Sequence, residues 1–98
     1  MKISQGFNRL YWGAIIGDVE KNMETIIWNN IKFNVKILDK QGLHNLFKIM
    51  TLRGDKSLRE MTSKDVVQYL EDIRLLLSEN GFTLEIDDED WDRLIKNM

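Results

Sequence analysis

The chain has 98 residues and a mass of 11.6 kDa, so we expect residues 1–98 to form one domain with a small core, not two. Hydrophobic residues make up 43% and charged residues 31%, a globular balance that excludes a disordered or fibrous chain, and the lack of cysteine excludes disulfides and thiolate metal sites. The formal net charge of −2 argues against a generic nucleic-acid-binding protein, which is usually basic overall.

The first predicted helix runs from about Phe7 to Asn22, with Ser4 as its upstream cap. Apolar residues at helical spacing form one face of it: Phe7, Leu10, Tyr11, Ala14, Ile15 and Val19. Trp12 and Ile16 lie off that face, so each needs a different partner.

A period of two follows from Thr25 to Ile37, where apolar and polar residues alternate after the pair Asn29-Asn30. Two short strands joined by an Asn-Asn turn are the simplest interpretation, because Asn tolerates the left-handed conformation that such turns require. A helix through the same residues is the competing interpretation.

Two further helices are indicated by caps and apolar faces. Asp39 precedes a helix that Gly54 is expected to end, and its apolar face comprises Leu43, Leu46, Phe47 and Met50. After a polar connection, Thr62 and Ser63 are start signals for the longest helix, residues 64–80, which Gly81 stops.

The chain ends in a short strand, predicted for Phe82 to Ile86, and a last helix that an acidic run opens. The apolar residues of that helix are Trp91, Leu94, Ile95 and Met98. The predicted fold class is therefore α+β: a mainly helical single domain of about four helices with a small β-hairpin or short strands.

The near-neutral charge hides a division between the two halves of the sequence. Residues 1–54 contain eight basic and four acidic residues, a net of +4, whereas residues 55–98 contain six basic and twelve acidic residues, a net of −6. The first half suits a phosphate-rich partner and the second half suits a basic one.

No arrangement of residues predicts catalysis, a metal site or a cofactor. His44 is the single histidine, and a structural or surface role is the better interpretation because it has no orienting partner nearby in the sequence. The carboxylates between Asp87 and Asp92 match no Ca²⁺-binding loop, so a solvated helix start is favoured over a cation site. No apolar run approaches the roughly 18 residues of a membrane span, and we expect a cytoplasmic protein without a membrane partner.

Basic and aromatic residues are interleaved in the first half, as in proteins that stack bases and follow a phosphate backbone. The candidate nucleic-acid-binding residues are Arg9, Lys32, Phe33, Lys36, Lys48, Arg53 and Lys56. Phe33 lies on a predicted apolar face, so packing in the core is its alternative role. Trp12, Trp28, Asp87 and Asp88 are candidates for a protein interface.

The order of these signals resembles the phage NinB (Orf) family of recombination proteins and related small prophage proteins, without the N-terminal segment that usually precedes the first helix. The residues that carry the resemblance are Ser4, Asn8, Tyr11, Trp12 and Gly13; Trp28; His44, Phe47 and Lys48; Ser57; Met61, Thr62, Ser63 and Asp65; Tyr69, Leu70, Glu71 and Ile73; and Gly81. It implies a mainly helical α+β homodimer that binds single-stranded DNA during phage recombination, alongside a host single-strand binding protein or nuclease, without bond-breaking chemistry.

Three functions remain open from the sequence. The first is an accessory recombination protein that binds single-stranded DNA non-specifically. The second is a phage-encoded inhibitor or adaptor whose acidic C-terminal half docks on a host nucleic-acid enzyme. A nuclease using Asp87 to Asp92 is the least favoured.

Overall fold

The structure is a computed structural model that describes residues 3–96. Helix α1 spans residues 5–22 in three parts: an α-helical turn Gln5–Arg9, a π-helical segment Leu10–Ile16 and an α-helical end Gly17–Asn22. Ser4 caps it, because its Oγ accepts the Phe7 N–H at 3.0 Å. The predicted helix and cap are confirmed.

The π-helical segment was not predicted, and it changes which side chains face the core. A π-helix bonds each N–H five residues back, as the Gly17 N–H does to the Trp12 carbonyl, so the following residues rotate relative to an α-helix. Ile16, off the predicted face, is consequently fully buried, whereas Ala14, on that face, is only half-buried.

The hairpin is confirmed, with strands β1 (Thr25–Trp28) and β2 (Ile31–Asn34) paired antiparallel so that Ile26 lies opposite Phe33. Asn29 and Asn30 have φ angles of 51° and 63°, as a type I′ turn requires. The second strand is shorter than predicted: Val35–Ile37 forms a 3₁₀ turn, because the Asn34 side chain accepts the Lys36 N–H.

Helix α2 (Lys40–Met50) begins at the predicted cap, where Asp39 Oδ1 accepts the Gly42 N–H at 2.7 Å. It ends earlier than predicted, because the chain turns at Leu52 before it reaches Gly54. The connection to the next helix contains a 3₁₀ turn, Leu58–Glu60.

Helix α3 (Ser63–Glu79) is the longest, and Thr62 and Asp65 form a reciprocal capping box at its start. Helix α4 (Asp88–Lys96) follows, and Met98, predicted to lie on its apolar face, is outside the described residues. The strand predicted for Phe82 to Ile86 is wrong: this segment is irregular, because the Glu85 N–H binds Asp18 Oδ2 at 2.9 Å rather than a neighbouring strand.

The core lies between α1, α2 and α3, to which β1 adds Ile26 and the connection before α3 adds Leu58 and Met61. Its largest fully buried side chains are Tyr11, Tyr69, Phe7, Phe47, Ile15, Ile16, Ile26, Leu43, Met61, Leu70, Ile73 and Leu77. Helix α4 packs on it through Trp91 and Leu94. The radius of gyration of 12.7 Å is about the value expected for one compact domain of this length. The fold is thus α+β and mainly helical, as predicted.

Candidate functional site

The π-helical segment positions a hydrogen-bonded cluster that joins the three core helices. The Tyr11 hydroxyl lies 2.6 Å from His44 Nδ1 on α2 and 2.7 Å from the Tyr69 hydroxyl on α3. Both tyrosines are fully buried and His44 is 6% exposed. Because buried polar groups are costly unless they are paired, this cluster fixes the relative positions of the helices.

Burial determines the protonation states of the cluster. It raises the pKa of Tyr11 well above the ordinary value, an effect that the neighbouring Tyr69 reinforces, and it also raises the pKa of Tyr69. Burial lowers the pKa of His44 from 6.5 to about 4, with a smaller contribution from the charge of Lys48. At neutral pH both tyrosines are therefore protonated and His44 is neutral.

These states favour one direction of hydrogen bonding. If Tyr69 donates to the Tyr11 oxygen and Tyr11 donates to His44 Nδ1, each hydroxyl proton in the cluster has an acceptor. His44 then carries its own proton on Nε2. At neutral pH the cluster therefore contains neither a phenolate nor an imidazolium, and its two hydrogen bonds join α1 to α2 and α3. His44 is thus buried and hydrogen-bonded to Tyr11.

Trp12 and Arg53 both pack against rings of the cluster. The Trp12 ring lies 4.9 Å from the His44 ring and meets the Tyr11 ring edge-on. The Arg53 guanidinium lies 5.9 Å from the centre of the Tyr69 ring, and its Nη1 is 2.8 Å from Asp72 Oδ2. Trp12, a candidate for a protein interface, is half-buried against the cluster.

Two of the predicted nucleic-acid-binding cations are already engaged within the protein. Arg53 pairs with Asp72, and Lys36 Nζ donates to the Glu20 and Lys21 carbonyls at the C-terminus of α1, both at 3.3 Å. Lys36 therefore neutralises the negative end of that helix.

The other candidates lie on separate elements. Arg9 is exposed near the start of α1, Lys32 is exposed on β2, and Lys56 is exposed in the connection before α3. Lys48 is half-buried on α2, and Phe33 is half-buried against the core.

The structure does not bring all of these cations to one place. Arg9 lies twelve residues, more than two helical turns, before Lys21, and Lys36 binds the Lys21 carbonyl. Arg53 and Lys56 do line one cavity, but Asp55 and Asp65 line it with them.

The acidic candidates lie at the start of α4. Asp87 Oδ1 accepts the Asp90 N–H at 2.7 Å, and Asp88 is exposed with one carboxylate oxygen 4.0 Å from Arg74. Within residues 3–96, no three His, Cys, Asp or Glu side chains are grouped so that they could hold a metal ion. Asp87 caps the start of α4 through its side chain.

An exposed apolar groove lies between the end of α2, helix α3 and β1. It has a volume of about 270 Å³, and we call it the Leu52–Leu75 groove. The side chains that line it include Trp28, Met50, Leu52, Leu75, Leu76 and Glu79. Leu52 is 85% exposed and Leu75 is 61% exposed, so the groove presents large apolar groups to solvent.

Leu52, just after α2, adopts a left-handed backbone conformation that is unfavourable for leucine, whereas α3 has a glycine at the equivalent position. Both α2 and α3 end in a Schellman motif, with Arg53 N–H bound to the Lys48 carbonyl and Phe82 N–H bound to the Leu77 carbonyl. The left-handed position of that motif is Gly81 in α3, with φ 72°, but Leu52 in α2, with φ 63°. A leucine there costs about 1 kcal/mol relative to glycine and gains little burial in return.

Of the residues that line this groove, Trp28 is an interface candidate from the sequence alone, whereas neither Leu52 nor Leu75 is. Leu75 sits in the run Leu75-Leu76-Leu77 and falls off the apolar face of α3, a signal that was visible in the sequence. Leu52 gave no such signal, because its exposure depends on where α2 ends.

Models of protein families, curated proteins and solved structures provide no match to this chain. The resemblance to the NinB family therefore remains an expectation from the sequence. No helix within residues 3–96 is both long and apolar enough to cross a membrane.

Proposed function

We propose that this chain is a small non-enzymatic cytoplasmic module that binds another protein through the Leu52–Leu75 groove. This is the inhibitor or adaptor function, and it uses the acidic second half of the sequence through α3. The observation that carries it is a highly exposed leucine in a left-handed backbone position that favours glycine. A leucine at this position lowers the stability of the fold without being buried in it, so binding to another protein accounts for its presence.

The energetics of the groove support this function. Fully burying an exposed leucine contributes roughly 1.5 to 3 kcal/mol. Leu52 can gain most of this on binding and the partly buried Leu75 a smaller share, beside the half-buried Trp28. Tryptophan is enriched among the residues that dominate binding energy at interfaces.

Affinity capture from a nuclease-treated bacterial lysate tests the proposal. The matched pair is Leu75→Ser, in the groove, and Ile37→Ser, at a site 79% exposed in the 3₁₀ turn after β2. We expect one stoichiometric protein to be retained by the wild type and by Ile37→Ser and lost by Leu75→Ser. The proposal fails if no protein survives nuclease treatment, or if Leu75→Ser retains the same protein equally well.

Binding of single-stranded DNA is the second candidate, supported by the positive first half and by exposed Arg9, Lys32 and Lys56, which form no ion pair among the described residues. Fluorescence anisotropy with a labelled oligonucleotide tests it. Affinity should fall steeply with salt and with Lys32→Glu plus Lys56→Glu. Absence of binding at low salt, or binding unchanged by these substitutions, would exclude it.

A further inference from the structure

We infer that the Leu52–Leu75 groove receives a basic amphipathic helix of the partner protein, with apolar side chains of that helix inserted between Leu52 and Leu75. This inference rests on the proposed function and specifies the chemistry of the partner. Three observations carry it: the acidic side chains around Leu75, the repulsion that these side chains would exert on other occupants, and the blocked edge of β1.

The rim of the groove on α3 is acidic. Glu71, Asp72 and Glu79 lie four residues before, three residues before and four residues after Leu75, so they surround it on the helix surface. Asp72 is paired with Arg53, whereas Glu71 and Glu79 form no ion pair within residues 3–96. No basic side chain is among the described residues lining the groove. A lysine- or arginine-rich segment therefore complements it.

The same rim disfavours other occupants. A second copy of this chain docked groove to groove would set Glu71 and Glu79 against identical carboxylates, and like charges at an interface are unfavourable. A nucleic-acid backbone would be repelled for the same reason.

The neighbouring strand edge selects a helix over an extended segment. The Asn80 side chain accepts the Ile27 N–H at 2.8 Å and donates to the Ile27 carbonyl at 3.3 Å. It thus occupies the outer edge of β1 beside Trp28, where an added strand would need to pair. A helix satisfies its own backbone groups and needs only apolar side chains to bind here.

The first test uses two synthetic helical peptides of about 18 residues, with leucines at the same positions and either lysine or glutamate elsewhere. We expect isothermal titration calorimetry to detect binding of the Leu/Lys peptide and none of the Leu/Glu peptide. Leu52→Gly should weaken binding roughly tenfold or more, because it removes an apolar contact. It should still fold, since glycine suits that backbone position. Ile37→Gly is the matched control and should leave affinity unchanged.

The second test separates the rim from general acidity. Reversing two rim charges with Glu71→Lys and Glu79→Lys should weaken the Leu/Lys peptide about tenfold. Reversing two charges on α4 with Asp88→Lys and Asp92→Lys should have little effect.

Three results would overturn the inference: equal binding of both peptides, equal weakening by the α4 reversal, or no binding at all. If the Leu/Lys peptide fails while a captured lysate protein still depends on Leu75, the proposed function stands and the basic helix is wrong. If capture of the lysate protein does not depend on Leu75 either, both the proposed function and the basic helix are wrong.

Discussion

Replacing Tyr11 by phenylalanine isolates the hydrogen bonds that join the three core helices. The hydroxyl of Tyr11 contacts both His44 Nδ1 and the Tyr69 hydroxyl, so its removal leaves two buried polar groups without their partner. Each such group costs about 1 to 3 kcal/mol, and we expect the free energy of unfolding to fall by about 3 kcal/mol. Tyr69→Phe breaks only one of the two contacts and should cost about 1 kcal/mol.

Urea denaturation monitored by tryptophan fluorescence measures both values, and the double variant gives their coupling. Once Tyr11 is phenylalanine, the Tyr69 hydroxyl has lost its partner, so adding Tyr69→Phe should cost nothing or restore stability. If Tyr11→Phe lowers the free energy of unfolding no more than Tyr69→Phe does, or if the effects of the two substitutions are additive, Tyr11 does not join the two contacts in this way.

Three other predictions follow from the described contacts. The fold lowers the pKa of His44 from 6.5 to about 4, so between these pH values the unfolded chain binds more protons than the folded one. From pH 7 to pH 4 the free energy of unfolding of the wild type should therefore fall by about 2 to 3 kcal/mol more than that of His44→Gln. Urea denaturation at each pH measures both values. Asp18→Ala removes the acceptor of the Glu85 N–H, so hydrogen exchange at the Glu85 amide should accelerate. Asp18→Asn keeps a side-chain oxygen at this position, so the Glu85 amide should exchange more slowly in that variant than in Asp18→Ala. Leu52→Gly should raise the thermal midpoint by several degrees, since it relieves about 1 kcal/mol of backbone strain, and a lower midpoint would show that Leu52 stabilises the fold.

Local signals in the sequence predicted the elements well where one residue determines a cap or a turn. Asp39, Thr62 and the Asn29-Asn30 pair each set a boundary through their own side chain or backbone preference. The strand predicted for residues 82–86 failed because alternation alone supplies no pairing partner, and the carboxylate of Asp18 took that role.

The remaining features depend on contacts between distant residues. Tyr11 is hydrogen-bonded to His44, 33 residues later in the chain, and to Tyr69, 58 residues later, so no rule of local spacing predicts these contacts. The π-helical segment that orients Tyr11 also had no sequence signal of its own, and it rotated Ile16 into the core. Trp28 could be named from the sequence as an interface candidate, but the groove that it lines could not, because the shape of the groove depends on how α2 ends.

Site-specific photocrosslinking determines whether the Leu52–Leu75 groove is a protein-docking surface. A photoreactive amino acid replaces Leu75, which is 61% exposed, in one variant and Ile37, which is 79% exposed, in another, and both variants are irradiated in a nuclease-treated cell lysate. We expect one protein adduct of defined mass from position 75, lost when Leu52→Gly is added, and none from position 37. No adduct from position 75, or the same adduct from both positions, would contradict it.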